Sequence, residues 1–292
     1  MNDCCASSSS GDTLAVSVST TLPSYAVRPG VTFPDWSVVT SPLVKDALLA
    51  MNDVLRNMAG PNQPADRWSD RDRLVDRVRI GLLKLYAEAG RAPTQSAIAK
   101  RAGLSETTVQ LQLEELHSRD LVVLNGDRII GAYPFTDRDA DHQVTLDGRV
   151  VNAMCAVDAL GIGAMTGRDI AITSRCRHCG APIQITTRDQ GLALAQVEPQ
   201  TAVMWQSVRY ADACAANSLC ATTAFFCSDE HLSAWRRERS ADEPGFRLSI
   251  EEGLEAGRAL FGPSLAGIDR APRPPIDPTS RRGPTVFKEN MT

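Results

Sequence analysis

Two patterns of hydrophobic residues follow each other along this chain, and their order restricts the fold more than any other sequence feature. Residues 71–131 carry apolar side chains at the spacing of amphipathic helices, whereas residues 132–267 are dominated by strand-like segments. Helices and strands that are segregated in this way are typical of the α+β class. We therefore predict an α+β protein with a helical N-terminal domain, followed by a mixed β-sheet core with flanking helices.

The helical part has the element order of a winged helix. Residues 71–90 predict one long helix, and two shorter helices follow, the first ending at Gly103 and the second capped by Ser105. The Asn125-Gly126 turn then joins two short strands in a hairpin. Three helices and a hairpin form a winged helix-turn-helix, which serves either to bind DNA or as a structural scaffold.

The charge of the third helix favours the scaffold interpretation. This helix carries the acidic residues Glu106, Glu114 and Glu115. Its only basic residues are His117 and, at its end, Arg119. A helix that contacts phosphates is expected to be basic, because neutralising phosphate charge supplies most of the affinity. The formal net charge of −4 gives no general attraction to nucleic acid either, so DNA is not an expected partner.

The regions outside this helical unit differ in composition and predict the domain organisation. Residues 1–70 are rich in Ser, Thr, Pro and Gly, and we expect a flexible extension with one helix over residues 41–60. A winged-helix-like domain over residues 71–131 and a cysteine-rich domain over residues 132–267 would follow. The Pro-rich residues 268–292 are expected to be a disordered tail.

The chain contains eight cysteines among its 292 residues. Whether these cysteines form disulfides depends on whether the cellular compartment is oxidising or reducing. No apolar run approaches the roughly 20 residues that span a bilayer. The first residues also lack the basic and apolar regions of a secretory signal. We therefore expect a cytoplasmic protein without membrane contact, in which thiols stay reduced. In that setting the cysteines favour metal binding or thiol chemistry over a disulfide framework.

Cys155 and Asp158 are three residues apart in an apolar segment that is predicted to be helical. This spacing places a thiol and a carboxyl on one helix face, where they could share a ligand or a proton. A carboxyl in apolar surroundings has a raised pKa, which suits proton transfer near neutral pH. Core packing explains the same residues, because free cysteine is commonly buried. Cys220, between two apolar stretches, is open to both interpretations, and converging thiolates would select a soft metal ion.

Cys176 and Cys179 form a CxxC knuckle between two predicted strands. With Cys227 and His231, which follow in a Cys-x3-His arrangement, they could complete a tetrahedral Cys3His zinc site. Accessory thiols for a thiophilic metal, or inert cysteines, are the alternatives. A redox role would need a thioredoxin-like βαβ context, which the flanking strands do not provide.

The remaining cysteines carry weaker signals. Cys4 and Cys5 are adjacent near the N-terminus, where vicinal thiols could capture a thiophilic metal or have no role. Cys214 is expected to be a packing residue.

The order of several short motifs resembles the organomercurial (alkylmercury) lyase family. The first motif is a Cys-Ala-x-Asp element, here Cys155–Asp158, and the second is a Gly-Arg pair, here Gly167-Arg168. The third is a strand that ends at a cysteine before Gly-Ala-Pro, here Cys176 with Gly180-Ala181-Pro182. The fourth is a second cysteine region, which here contains Cys220. The resemblance covers roughly residues 70–265. It includes the winged-helix-like unit, and it implies that residues 132–267 form an alkylmercury lyase catalytic domain.

The resemblance implies an enzyme of organomercury detoxification that cleaves carbon–mercury bonds by protonolysis, giving a hydrocarbon and Hg(II). Cys155 and Cys220 would bind mercury. Asp158 would help to deprotonate a thiol and then protonate the leaving carbon. No cofactor is implied. The implied partners are an organomercurial substrate, cellular thiols and a mercuric reductase that accepts the Hg(II).

Besides an N-terminal extension with Cys4 and Cys5 that short family members lack, the chain departs from the family pattern at two places. Met154 stands where an aromatic residue is common, and the pair Cys176 and Cys179 stands where a single cysteine is usual. The second departure keeps the structural zinc hypothesis open. A further hypothesis, from a different class of protein, is a winged-helix transcriptional regulator that senses a thiophilic metal through its cysteines.

Overall fold

A computed structural model describes residues 21–28, 31–60, 69–239 and 243–265. Its strands are β1 (Tyr25–Arg28), β2 (Val31–Phe33), β3 (Val122–Asn125), β4 (Arg128–Ala132), β5 (Phe135–Thr136), β6 (His142–Leu146), β7 (Arg149–Ala153), β8 (Ile170–Arg175), β9 (Pro182–Arg188), β10 (Ala193–Glu198), β11 (Val203–Ser207), β12 (Ala224–Phe226) and β13 (Gly245–Ser249). Its helices are α1 (Pro42–Ala50), α2 (Asn52–Ala59), α3 (Asp70–Ala89), α4 (Gln95–Ala102), α5 (Glu106–Ser118), α6 (Ala156–Thr166), α7 (Leu219–Thr222), α8 (Asp229–Arg239) and α9 (Ile250–Phe261). Cys4, Cys5 and the predicted tail over residues 268–292 lie outside the described residues.

The main sheet has eight strands in the order β10-β9-β8-β6-β7-β5-β4-β3. A smaller sheet has the order β12-β11-β13, and β1 pairs with β2. Helices combined with these sheets confirm the predicted α+β class. The prediction of a mixed sheet is wrong for the described strands, because all of their pairs are antiparallel. Tight turns such as Asp147-Gly148, where both residues have positive φ, join consecutive strands directly and so reverse the chain.

The helical front, made of α3, α4 and α5, has the predicted helix ends at Gly90 and Gly103 and the predicted cap at Ser105, whereas α3 begins one residue earlier than expected. The Ser69 side chain forms a capping box with Asp72 at the start of α3, and Gly90 closes this helix in the left-handed conformation. Gly103 closes α4, and Ser105 caps α5. The β3–β4 hairpin is also present, but its strands form one edge of the main sheet. The winged-helix assignment therefore stays a prediction, although each of its elements is in place.

Residues 31–60 pack against the rest of the chain. The sequence predicted one helix in a flexible extension, whereas the structure has two, α1 and α2, which meet at Met51. The apolar faces of both helices, including Val44 and Leu55, are buried in the common core. Its apolar residues recur at helical spacing, so each helix has an apolar face that must be buried against another element. The segment therefore belongs to the folded part of the protein.

The buried helix α6 packs closely against α9. A side chain at Gly257 would bring its Cβ within 2.8 Å of the backbone nitrogen of Gly161, so two glycines set the distance between these helices. The sequence predicts a buried helix over residues 151–167, but α6 starts five residues later, at Ala156, because β7 continues to Ala153. Although α6 is strongly apolar, no helix within the described residues combines the length and the apolar character needed to cross a membrane.

Candidate active site

The start of α6 brings Cys155 and Asp158 together. Cys155 is the N-cap residue with extended backbone, and Asp158 is the third residue of the helix. This corrects the prediction that both lie inside one helix. Side chains at these two positions face each other, as in a capping box, so the spacing still brings them into contact. The Sγ atom of Cys155 donates a hydrogen bond of 2.9 Å to Oδ2 of Asp158.

Cys220 reaches the same carboxyl from a distant part of the chain. It lies in the short helix α7, and its Sγ atom is 3.7 Å from Oδ2 of Asp158. One ligand atom from each of Cys155, Asp158 and Cys220 lies within 4.8 Å of the others, and all three side chains are buried. The structure therefore brings together the three residues that the sequence singled out, which we call the thiol–carboxyl cluster.

Burial controls the protonation of the thiol–carboxyl cluster. Loss of solvent raises the pKa of Asp158 from its ordinary 3.8 to about 7. Burial also raises the pKa of Cys155. The hydrogen bond with Cys155, together with burial, raises the pKa of Cys220 well above its ordinary value. At neutral pH both thiols are therefore protonated, while the carboxyl exchanges between its acid and its base form.

The thiol–carboxyl cluster lies between two spaces of different character. One is a small apolar cavity of about 50 Å³ that all three residues line. Its walls also include side chains from the N-terminal segment, namely Val27, Phe33, Met51, Val54 and Leu55. The other space is a cleft of about 740 Å³, which Cys220 lines together with polar residues such as Asp141 and Arg177. Cys220 thus borders both an apolar and a polar compartment.

Two residues that the sequence did not single out hold the turn before Cys220. Asp120, which follows α5, accepts a hydrogen bond of 2.7 Å from the backbone nitrogen of Ala215. The Tyr133 hydroxyl accepts one of 2.8 Å from the nitrogen of Ala216 and donates one of 3.2 Å to Asp120. These contacts join residues that are far apart in the chain, so no local pattern could have found them.

A buried cation forms part of the cavity wall. Arg79 of α3 lines the apolar cavity, and burial lowers its pKa to about 10. Burial has the opposite effect on the neighbouring carboxyl of Asp76, whose pKa it raises to about 6 despite the opposing charge of Arg28. A sequence signal for Arg79 did exist, because it shares the apolar face of α3 with Val75 and Leu82.

The second predicted set of ligands also converges, at a separate place. Cys176, Cys179, Cys227 and His231 each offer an atom within 4.8 Å of the others, and we call them the Cys3His cluster. Burial favours the neutral thiol of Cys176, but surrounding backbone N–H groups and the His231 side chain outweigh it and lower the pKa to about 6. Burial and the hydrogen bond with Cys176 raise the pKa of Cys227 to about 12. Cys214 is half-buried and belongs to neither cluster.

Comparisons with known proteins agree on one family. The family model described as MerB, alkylmercury lyase, matches residues 135–262. The alkylmercury lyase of Pseudomonas putida is 30% identical over 182 residues, which are 62% of this chain and 82% of that protein. The alkylmercury lyase of Staphylococcus epidermidis is 29% identical over 179 residues, which are 61% of this chain and 79% of that protein.

A solved structure extends the likeness to three dimensions. The mercury-bound form of MerB2 superposes with a TM-score of 0.56 at 26% sequence identity. The match covers 66% of this chain and 98% of the MerB2 chain. Because sequence and structure point to the same relatives over most of their length, this chain belongs to the alkylmercury lyase family.

Proposed function

We propose that this protein is an organomercurial lyase that cleaves carbon–mercury bonds by protonolysis. Its catalytic residues would be Cys155, Asp158 and Cys220. The observation that carries the proposal is the convergence of two buried thiols on one buried carboxyl, with a hydrogen bond of 2.9 Å between Cys155 and Asp158. Thiolates are the ligands that select soft metal ions, and the carboxyl supplies a group that can move a proton beside them.

The first step forms a sulfur–mercury bond. The Asp158 carboxylate takes the proton of the Cys155 thiol, for which the hydrogen bond between them is already in place. The Cys155 thiolate then displaces a ligand X⁻ from R–Hg–X, which leaves R–Hg bound to sulfur and Asp158 protonated. The departing X⁻, a small thiolate in a thiol-rich cell, accepts the proton of Cys220. Charge and protons balance, because one thiol proton rests on Asp158 and the other leaves as HX.

The second step breaks the carbon–mercury bond. The Cys220 thiolate becomes the second sulfur ligand of mercury, and its electron donation weakens the bond to carbon. The electron pair of that bond stays with carbon, which takes the proton from Asp158 and leaves as the hydrocarbon RH. A proton donor in contact with the site spares the reaction a free carbanion. Mercury remains as Hg(II) between two thiolates, and Asp158 is a carboxylate again.

Turnover requires that other thiols remove the product. Two cysteine ligands hold Hg(II) firmly, so cellular thiols or a mercuric reductase are the proposed acceptors. The cleft that Cys220 lines offers a route by which such thiols could reach the metal. Since the cycle needs free thiols, a reducing compartment such as the cytoplasm is the proposed location. The cleavage itself uses protein groups alone and needs no resident cofactor.

The helical front is proposed to act as a scaffold for the site, as a winged-helix-like domain over residues 71–131. Asp120, within this domain, and Tyr133, two residues past its end, support the turn before Cys220. A metal-sensing regulator is not favoured, because α5 is acidic on its surface and its Glu115 pairs with Arg71 at 3.1 Å. Residues 132–267 would form the catalytic domain, with the segment before Asp70 contributing to the cavity wall.

Hydrocarbon release tests the proposal directly. Reduced, purified protein incubated with phenylmercury or methylmercury and excess thiol should release benzene or methane, measured by gas chromatography of the headspace. The thiol alone, without protein, is the control for uncatalysed cleavage. Folded and fully reduced protein that releases no hydrocarbon above this control would refute the proposed activity.

A further inference from the structure

The Cys3His cluster has the dimensions of a tetrahedral zinc site. With Zn–S bonds of about 2.3 Å, two sulfur ligands on a tetrahedron lie roughly 3.8 Å apart, and a sulfur and a nitrogen ligand roughly 3.6 Å apart. The Sγ atoms of Cys179 and Cys227 are 3.8 Å apart, and Sγ of Cys176 is 3.6 Å from Nδ1 of His231. Both edges therefore match zinc, whereas a disulfide would require sulfurs about 2.05 Å apart.

The backbone around Cys176 is arranged to hold a thiolate. Its chain folds into a tight knuckle, in which the nitrogen of Gly180 donates to the carbonyl oxygen of Cys176 at 2.8 Å. Gly180 has a φ of +74°, a conformation that glycine adopts without strain. The backbone nitrogen of Cys227 also donates to Sγ of Cys176 at 3.4 Å, which joins the two halves of the cluster. A backbone N–H group that donates to a sulfur favours the thiolate, which is the form that binds a metal ion.

The cluster is connected to the segment that carries Cys220. The backbone nitrogen of Arg177, inside the knuckle, donates to the carbonyl oxygen of Phe225 at 3.0 Å. Its side chain donates to the carbonyl oxygen of Ala221, the residue after Cys220, also at 3.0 Å. Cys227, the residue directly after β12, is itself one of the four ligands. The segment from Cys220 to Cys227 is thus held by the knuckle at both ends.

We propose that Cys176, Cys179, Cys227 and His231 bind a resident Zn(II) ion that fixes the position of the Cys220 segment. The ion has no part in the chemistry, because its ligands form a closed set of four and leave no position for substrate. It acts as a cross-link between the β8–β9 knuckle, which holds Cys176 and Cys179, and the region after β12, which holds Cys227 and, in α8, His231. The thiol–carboxyl cluster is separate from it and remains available for mercury.

Metal analysis of the protein purified without mercury tests the assignment. We expect about one zinc per chain after gel filtration with a mild chelator, measured by inductively coupled plasma mass spectrometry. Cys179→Ala should lose most of this zinc, and because Cys179 is exposed the substitution spares the core. Cys214→Ala is the matched control and should keep its zinc. Protein that holds no zinc, even after incubation with ZnCl2, or equal zinc in both variants, would overturn the assignment.

Cobalt substitution gives a second readout on the unaltered chain. Co(II) in place of zinc should show the visible absorption of a tetrahedral ion and an ultraviolet thiolate-to-metal band. Weak absorption of an octahedral ion would contradict the Cys3His site, as would a cluster that accepts Hg(II) but neither Zn(II) nor Co(II). These measurements do not depend on turnover, so their outcome is independent of the proposed lyase activity.

Hydrogen exchange tests the connection to the Cys220 segment. Removing zinc with a strong chelator should increase exchange at least several-fold in residues 219–226, while α4 serves as an internal control that should not change. Readdition of ZnCl2 should restore the protection. Protein that loses zinc with no change over residues 219–226 would overturn the positioning role, even if the ion itself is present.

Discussion

The thiol of Cys155 donates a hydrogen bond of 2.9 Å to the carboxyl of Asp158, and both side chains are buried. The contact exists because the first residue caps α6 and the second lies in its first turn. A proton can therefore pass between them without any rearrangement of the chain. Cys220 reaches the same carboxyl, with its Sγ atom 3.7 Å from Oδ2 of Asp158, so one carboxyl serves both thiols.

Replacing Cys220 with serine should stop the reaction between its two steps. Serine is a hard oxygen ligand and would not supply the second soft donor to mercury. We expect Cys220→Ser to retain about one phenylmercury group per chain on Cys155, while benzene release falls roughly a hundredfold or more. Bound mercury and released benzene are measured in the same sample. Cys214→Ser, outside both clusters, should behave like the unaltered protein, and equal turnover by the two variants would contradict the role of Cys220.

The rate should depend on the ionisation of Asp158. Burial raises the pKa of this carboxyl to about 7, and its ionised form is the one that accepts the Cys155 proton. As the pH falls below about 7, kcat/KM should decrease about tenfold per pH unit, because the carboxyl is protonated before substrate arrives. Initial rates of hydrocarbon release test this, with the unfolding temperature followed over the same range. A rate that is flat down to pH 5 in folded protein would contradict it.

The same carboxyl should make stability depend on pH. The folded protein binds the Asp158 proton more tightly than the unfolded chain, since its pKa rises from 3.8 to about 7. The stabilisation that comes from this tighter proton binding is complete below about pH 4 and is lost as the pH rises through about 7. Asp158→Asn cannot ionise, so it should gain up to about 4 kcal/mol in free energy of unfolding over the unaltered protein at high pH. Urea unfolding at several pH values measures this, and a difference that does not grow with pH would contradict it.

Two glycines inside helices should respond oppositely to alanine. At Gly257 the new methyl group would lie 2.8 Å from the backbone of Gly161 and separate α9 from α6. We expect Gly257→Ala to lower the free energy of unfolding by about 1–3 kcal/mol. At Gly81 the nearest atom is 3.5 Å away, so Gly81→Ala should raise it by up to about 1 kcal/mol through helix propensity. Equal unfolding temperatures for the two variants would contradict the close packing of these helices.

Local signals predicted a large part of the fold. Gly90, Gly103 and Ser105 fix the ends of helices because their effect is confined to one turn of the chain. The contact of Cys155 with Asp158 was predictable for the same reason, although the helix begins later than expected. Its predicted start was wrong because apolar residues that continue a buried strand look like those of a buried helix.

The rest of the site depends on contacts between distant residues. Cys220 is 62 residues from Asp158, and nothing in its own surroundings shows that the two meet. The support that Asp120 gives to the turn at Ala215 spans 95 residues. Resemblance to a family pointed to Cys220, but its position depends on tertiary contacts of its segment, such as the hydrogen bond of 3.4 Å from the backbone nitrogen of Ala156 to the carbonyl oxygen of Thr223. Such contacts come from the tertiary fold, which periodicity and spacing do not encode.

A single turnover with the Asp158→Asn variant tests the central claim most directly. Protein in excess over phenylmercury is quenched at intervals, and both bound mercury and released benzene are measured. We predict that the unaltered protein releases about one benzene per phenylmercury. Asp158→Asn should bind phenylmercury to the same final extent but more slowly, because its amide cannot accept the Cys155 proton, and should release benzene from the bound complex roughly a hundred to ten thousand times more slowly. Release of benzene by Asp158→Asn at the rate of the unaltered protein would contradict protonolysis by this carboxyl.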